Sequence, residues 1–245
     1  MIKPGAAAVS LFLLGTAPVA AQQPEPLTVR AEDGLLLHAT LYRAPGRGPL
    51  VLMFHQCNRA GAETGYETLG QRLAAAGFHA LALDSRGFGR SRNAEYPDFR
   101  SRRDETAAKW PGDIDTVLRH VAPRPEIDGT RLAAIGASCG VDQAIYLAGR
   151  REAVRAIVAL SGSLEPAAES AFAAMRPIPL FIAFADGDGY NTPASMRALF
   201  ASAREPRTRM LTYKGTAHGT PLLAEDPGLV SSLVAWLAPL LQASR

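Results

Sequence analysis

From residue 50 onward the chain alternates short, largely apolar runs with longer amphipathic ones, and few folds accommodate that alternation. The apolar runs are Leu50 to His55, His79 to Leu83, Leu132 to Gly136, Ala156 to Leu160, Leu180 to Ala185 and Arg209 to Tyr213. Helix-period stretches separate them: Tyr66 to Ala76, Trp110 to Val121, Cys139 to Gly149 and Thr192 to Ala203, with Pro227 to Leu241 last. A strand that is apolar on both sides is covered on both sheet faces, and strands spaced by helices run parallel. The pattern therefore predicts an α/β fold built on a mostly parallel sheet with helices on both faces. Two earlier runs, Leu27 to Ala31 and Leu35 to Tyr42, are split by the turn Glu32-Asp33-Gly34 and read as an antiparallel hairpin. In the last helix, Trp236, Leu237, Leu240 and Leu241 are expected to form a core-facing stripe.

The first 21 residues read differently. One early cation, Lys3, precedes the apolar run Val9 to Leu14, and small residues reach Ala21 before Gln22. That is the layout of a secretory signal peptide, too short to span a bilayer, so the expected product is residues 22 to 245, exported to a periplasm or secreted, with no stable membrane anchor after cleavage. One α/β domain with a sizeable core fits that length. With 47% apolar and 20% charged residues the chain is globular rather than disordered.

Charge and composition exclude several function classes. The formal charge is only +3, from 26 basic and 23 acidic side chains. The densest basic patch, Arg100-Ser101-Arg102-Arg103, runs straight into Asp104-Glu105 and reads as a solvated loop, which argues against nucleic-acid binding. Two cysteines and five scattered histidines make no metal-ligand cluster. Neither a phosphate-cradling nor a dinucleotide glycine motif occurs, so no cofactor is expected.

The chemistry-bearing string is Ile135-Gly136-Ala137-Ser138-Cys139-Gly140, where an apolar strand ends in G-x-S-x-G and a helix begins. A serine hydroxyl is a weak nucleophile and must be held exposed on a sharp turn beside a base; the flanking glycines allow the turn to close. Cys139 is excluded as the nucleophile by register, because centring the motif there puts β-branched Val141 at a tight position. Its backbone N–H, at the helix start, is instead placed to bind an oxyanion. The base is His218, in the loop after the last strand. His38, His79 and His120 lie within strands or a helix, and His55 reads as a structural imidazole bracing its loop. The acid comes from Asp186-Gly187-Asp188-Gly189, with Asp188 preferred because it lies deeper in the turn and Asp186 expected to bond backbone N–H groups. The second oxyanion donor is the N–H of Gln56 or Cys57. Asp84-Ser85-Arg86-Gly87-Phe88-Gly89-Arg90-Ser91 is read as structural, with Asp84 and Arg86 pinning loops. Tyr190 and Tyr66 either line the substrate pocket or pack.

These strings together resemble the α/β-hydrolase superfamily, and more narrowly its dienelactone-hydrolase-like, lid-poor members. The resemblance spans the hairpin and His55-Gln56, the string from Asp84 to Ser91, the elbow at Ser138, the acid turn at Asp188 and Ala217-His218-Gly219. It implies an eight-stranded sheet and hydrolysis through an acyl-serine intermediate. Leu164 to Pro177 stands where larger relatives carry a lid, so the lid is minimal. Dienelactone hydrolases proper have cysteine where this chain has Ser138; many relatives have His-Gly at His55-Gln56 and glycine at Ala185. The expected activity is that of a serine hydrolase acting on carboxylic esters or related small acyl compounds. The alternatives are a serine peptidase of the same fold and a non-catalytic binding protein that retains it. Cys57 and Cys139 fall on loops that should meet at the oxyanion site, either as a disulfide or as two free thiols.

Overall fold

The computed structural model describes residues 23–58 and 65–242. The segment read as a signal peptide lies outside the described residues. Strands β1 (Glu25–Arg30) and β2 (Leu36–Tyr42) form the hairpin, followed by β3 (Gly48–Phe54), α1 (Glu67–Ala75), β4 (His79–Leu83), α2 (Arg103–Val121), β5 (Ile127–Ala137) and α3 (Gly140–Arg150). The second half holds β6 (Val154–Leu160), α4 (Pro166–Ala174), β7 (Leu180–Ala185), α5 (Thr192–Ser202), β8 (Arg209–Tyr213), α6 (Leu222–Glu225) and α7 (Pro227–Gln242). They build one eight-stranded sheet of order β1-β2-β4-β3-β5-β6-β7-β8. Among the described residues only the pairings made by β2 are antiparallel.

The central strands are apolar throughout because both faces are covered. In β3, Leu50, Leu52 and Phe54 pack with Ile114 and Val117 of α2 and Ile145 of α3. The intervening Val51 and Met53 pack with Leu69 and Leu73 of α1 and Leu233 and Leu237 of α7. Period-two alternation thus divides one strand between two cores. Each fully buried side chain of this kind contributes about 1.5–3 kcal/mol.

Four expectations need correction. Helix α2 starts at Arg103, inside the basic patch read as a loop; Arg102 is its N-cap residue and is paired with Glu105. The helix, expected from Trp110, is therefore seven residues longer at its start, and Pro111 lies within it. Strand β5 begins at Ile127, five residues earlier than expected, because Ile127 and Asp128 pair with Gly48 and Pro49. The segment before β7 forms α4, whose Pro166 fits the first helical turn and whose Ala168 and Phe172 are buried. Trp236 is only partly buried; its Nε1–H donates to the Arg207 carbonyl at 2.9 Å and its ring meets Phe181.

Arg86 is the largest fully buried side chain. Its guanidinium forks onto Asp113 of α2, with Nε and an Nη donating at 2.9 and 2.7 Å, and onto Asp33 of the hairpin turn at 2.7 and 3.1 Å. Asp84 accepts from the Arg90 N–H at 3.1 Å. Both residues therefore hold loops, as their place in the sequence suggests.

Candidate active site

The parallel strands deliver their following loops to one edge of the sheet. At the end of β5, Ser138 stands in the left-handed region, φ 52°, between an extended strand and α3. Such a conformation is costly for a non-glycine residue. It persists because the backbones around it are in contact: a Cβ on Gly136 would lie 2.2 Å from the Gly140 carbonyl oxygen, and one on Gly140 would lie 2.3 Å from that of Phe54.

His218 arrives on the loop after β8. Its Nε2 is 2.8 Å from Ser138 Oγ, and its Nδ1 is 2.9 Å from both carboxylate oxygens of Asp188. A carboxylate can only accept, so Nδ1 carries the imidazole proton and Nε2 presents a lone pair to the Ser138 hydroxyl. The Asp188 side chain is 1% exposed and that of His218 23%. Asp188 therefore orients from below while the imidazole edge meets solvent.

Asp186 stays outside this chain of hydrogen bonds. Rather than bonding backbone N–H groups of the turn, it faces Arg197 at 2.8 Å and Lys214 at 3.6 Å on the surface. A carboxylate directly at the strand end lies on the solvent side of the turn, where long cations of α5 and the β8 loop reach it.

The loop after β3 meets the nucleophile turn through a disulfide between Cys57 and Cys139, with Cα atoms 5.8 Å apart. Of the two arrangements the sequence leaves open, the bonded one is present. His55 braces the same loop. Its Nε2 accepts from the Ser85 N–H at 3.1 Å, so Nδ1 holds the proton and donates to the Gln56 carbonyl at 2.6 Å. Burial pushes its pKa down, outweighing the Gln56 carbonyl and the Asp84 charge, and keeps the ring neutral.

The Gln56 side chain has a function that its sequence neighbours did not reveal. Its Oε1 accepts from the Thr220 N–H at 2.9 Å, tying the β3 loop to the His218 loop. Gly219, φ 73°, makes room: a Cβ there would lie 2.1 Å from that oxygen. Glutamine where relatives have glycine is the signal that could have found this tie.

The two tyrosines separate. Tyr190 is 80% exposed, φ 56°, with its ring 5.1 Å from the His218 ring. Tyr66 is fully buried and its hydroxyl donates to the Phe54 carbonyl at 3.0 Å. It braces the end of β3 and does not line the pocket, since α1 carries it beneath the sheet edge.

Comparison with known proteins agrees with this architecture. Residues 50–178 match the family model described as serine aminopeptidase, S33. A thiohydrolase, apmlB, of Arthrinium phaeospermum is 30% identical over 136 residues, 56% of this chain and 42% of that protein, so the match spans well under half of the relative's length. Among solved structures, DcsB in complex with its substrate analogue superposes with a TM-score of 0.71 at 14% identity, covering 89% of this chain and all of that one. The Pyrococcus furiosus esterase Pf2001 gives 0.71 at 14% identity, over 89% of this chain and 93% of its own. GrgF, an alpha/beta hydrolase from Penicillium sp. sh18, gives 0.71 at 14% identity, over 91% and 100%. The common element is the α/β-hydrolase fold.

Proposed function

The chain belongs to the serine aminopeptidase S33 family of α/β hydrolases, and from that premise we propose that it is an exported serine hydrolase cleaving carboxylic esters or related small acyl compounds through an acyl-serine intermediate. The observation that carries this reading is the unbroken hydrogen-bonded series Ser138, His218, Asp188.

Ser138 Oγ attacks the acyl carbon while His218 Nε2 takes its proton, and Asp188 stabilises the imidazolium and holds its tautomer. The carbonyl π bond breaks and its electron pair moves to oxygen. On collapse His218 gives the proton to the leaving group; water, activated by the same imidazole, then releases the acid and restores Ser138. The oxyanion is bound by the N–H of Cys139 and that of Cys57. Cys57 is favoured over Gln56 by the peptide between them: its carbonyl accepts from His55 and from the Asn58 N–H at 2.8 Å. In a trans peptide the N–H opposes the C=O, so the Cys57 N–H faces away from His55.

Among relatives, the lid-poor plan and the Asp84 to Ser91 string support a dienelactone-hydrolase-like member with serine as nucleophile. Thioesters fall within the same acyl class, and the thiohydrolase similarity supports including them. Export is supported by the leader-like first 21 residues and by the disulfide, a bond that persists in oxidising compartments. Tyr190, beside His218, flanks the leaving group.

A fluorophosphonate probe tests the nucleophile. The purified protein is expected to be labelled and Ser138→Ala unlabelled; equal labelling of the two overturns the reading. The family description favours a second reading, an aminopeptidase, which hydrolysis of aminoacyl p-nitroanilides in preference to p-nitrophenyl esters would establish.

A further inference from the structure

A cavity of about 540 Å³ opens beside the disulfide, bounded by Cys57 and Asn58 on one side and by the segment from Gly87 to Ser101 on the other. Its size is that of a small-molecule site. Its wall is aromatic: Phe88 meets the His55 ring at 4.8 Å and stacks on Phe99 at 5.2 Å, and Phe99 stacks on Trp110 at 5.1 Å. Its rim is cationic. Arg92 and Arg100 both line it. Arg92 is anchored by its Nε–H to the Gly89 carbonyl at 2.7 Å, which leaves the rest of the guanidinium for a ligand. Among the described residues of the lining the one carboxylate is Asp98, which accepts from the Ser101 N–H at 2.9 Å.

Position decides which part of a substrate this cavity can take. A leaving group must lie next to His218 Nε2, which protonates it, so its pocket would be walled by the His218 and Asp188 loops. No residue of either loop lines this cavity. It adjoins Cys57, bonded to the residue after Ser138, on the oxyanion side of the nucleophile. Ser138 does not itself line the cavity, so an acyl chain on Ser138 would enter it past the disulfide, away from His218.

We propose that this cavity is the acyl site, and that Arg92 and Arg100 select acyl chains with an apolar stem ending in a carboxylate. The inference rests on the acyl-serine reading above and names its substrate class. The stem covers Phe88 and Phe99, and the terminal anion reaches the guanidinium rim, where charge-assisted hydrogen bonds replace its water.

Two esters of equal acyl length and identical leaving group test this: mono(4-nitrophenyl) adipate, which carries the terminal carboxylate, and 4-nitrophenyl hexanoate, which does not. Arg100→Gln is expected to lower the adipate-to-hexanoate ratio of kcat/KM by about tenfold, mostly through KM, and Arg92→Gln to lower it in the same direction. In the wild type, 0.5 M NaCl is expected to reduce the ratio, since the rim is open to screening. A ratio that neither substitution nor salt changes overturns the site while leaving the hydrolase reading intact, provided hexanoate is cleaved. Hydrolysis of neither ester overturns both.

Discussion

Two buried carboxylates in this molecule, Asp113 and Asp188, are each held by a basic side chain, and the two arrangements differ in what is left free to react. Arg86 gives Asp113 two hydrogen bonds and Asp33 two more, and its own side chain is 1% exposed. The guanidinium keeps its proton at any accessible pH, so nothing in that cluster can exchange. His218 spends one nitrogen on Asp188 and turns the other to Ser138. The first arrangement joins hairpin, β4 loop and α2; the second leaves a proton free to move. Similar-looking strings, one with Arg86 two residues after Asp84 and one with Asp186 and Asp188 around a glycine, thus serve different ends because of the partner they meet.

The largest effect should come from breaking the reactive pair. Asp188→Asn keeps the shape but removes the charge that fixes the imidazole tautomer, and kcat on any cleaved ester should fall by about 10⁴-fold. Asp186→Asn, which loses only exposed ion pairs with Arg197 and Lys214, should leave kcat within about twofold and stability within about 1 kcal/mol. Steady-state kinetics of the two variants reverses the assignment if Asp186→Asn is the damaging one.

Breaking the structural cluster should act on stability instead. Arg86→Met leaves Asp113 without its hydrogen-bonded cation, and removing one partner of a buried pair costs about 3–5 kcal/mol. Burial already raises the Asp113 pKa in spite of the bonds from Arg86. Without the guanidinium that carboxyl takes up a proton more readily still, so the loss should be greatest near neutral pH and shrink as pH falls. Denaturant midpoints at pH 5 and pH 8 measure this, and pairing Arg86→Met with Asp113→Leu should recover most of it. A pH-independent loss would mean that packing around Trp110 and Tyr96, rather than charge, holds the cluster.

The same distinction explains what was legible from sequence. The mostly parallel sheet and its two covered faces follow from apolar runs such as Leu180 to Ala185, whose burial leaves little choice of fold; the exchange of β3 and β4 in the strand order does not. Ser138 and His218 were legible because the glycines and loop position around them serve a geometry that few other functions need. Asp186 could be set apart from Asp188, but not given its surface partners: Arg197 lies on a helix whose rotation about its axis is set by packing. The start of β5 was hidden because Asp128-Gly129-Thr130-Arg131 reads as a turn, although the Asp128 carboxylate bonds Thr130 and Arg131 and holds the chain extended. The Gln56–Thr220 tie joins residues 164 apart in the chain; glutamine in place of the relatives' glycine marks one end of it, but nothing local names Thr220 as the other.

The disulfide gives a smaller effect than either pair, and it bears on both stability and rate. Closing a loop with a separation of 82 residues contributes about 2–4 kcal/mol. Reduction, or the double substitution Cys57→Ser with Cys139→Ser, should lower the melting temperature accordingly. Because the bond ties the two loops proposed to present the oxyanion donors, kcat should also fall, by about tenfold, with little change in KM. Unchanged kcat in a stable double variant would show that His55 and Gln56 hold the loop without it.

A third buried carboxylate completes the comparison, because among the described residues neither an arginine nor a histidine hydrogen-bonds it. Asp142, on the first turn of α3 behind the nucleophile, leaves Oδ1 without a hydrogen bond. Its pKa is raised to about 7, first by burial and then by the charges of Glu165 and Glu169, against the Glu165 backbone and Arg103. The folded state therefore prefers the protonated acid. Its stabilising contribution is complete below about pH 4 and is lost as pH rises through about 7. Asp142→Asn, which matches the protonated acid in shape and cannot ionise, should equal the wild type at pH 4 and exceed it at pH 8. Three pH units carry roughly 4 kcal/mol. Solvent around the exposed Glu165 and Glu169 screens part of that, so a gain of about 2 kcal/mol is expected. Denaturant unfolding of both proteins across that range measures the difference. Parallel pH curves would mean that Asp142 has a compensating cation after all, and would place it with Asp113 rather than apart from both pairs.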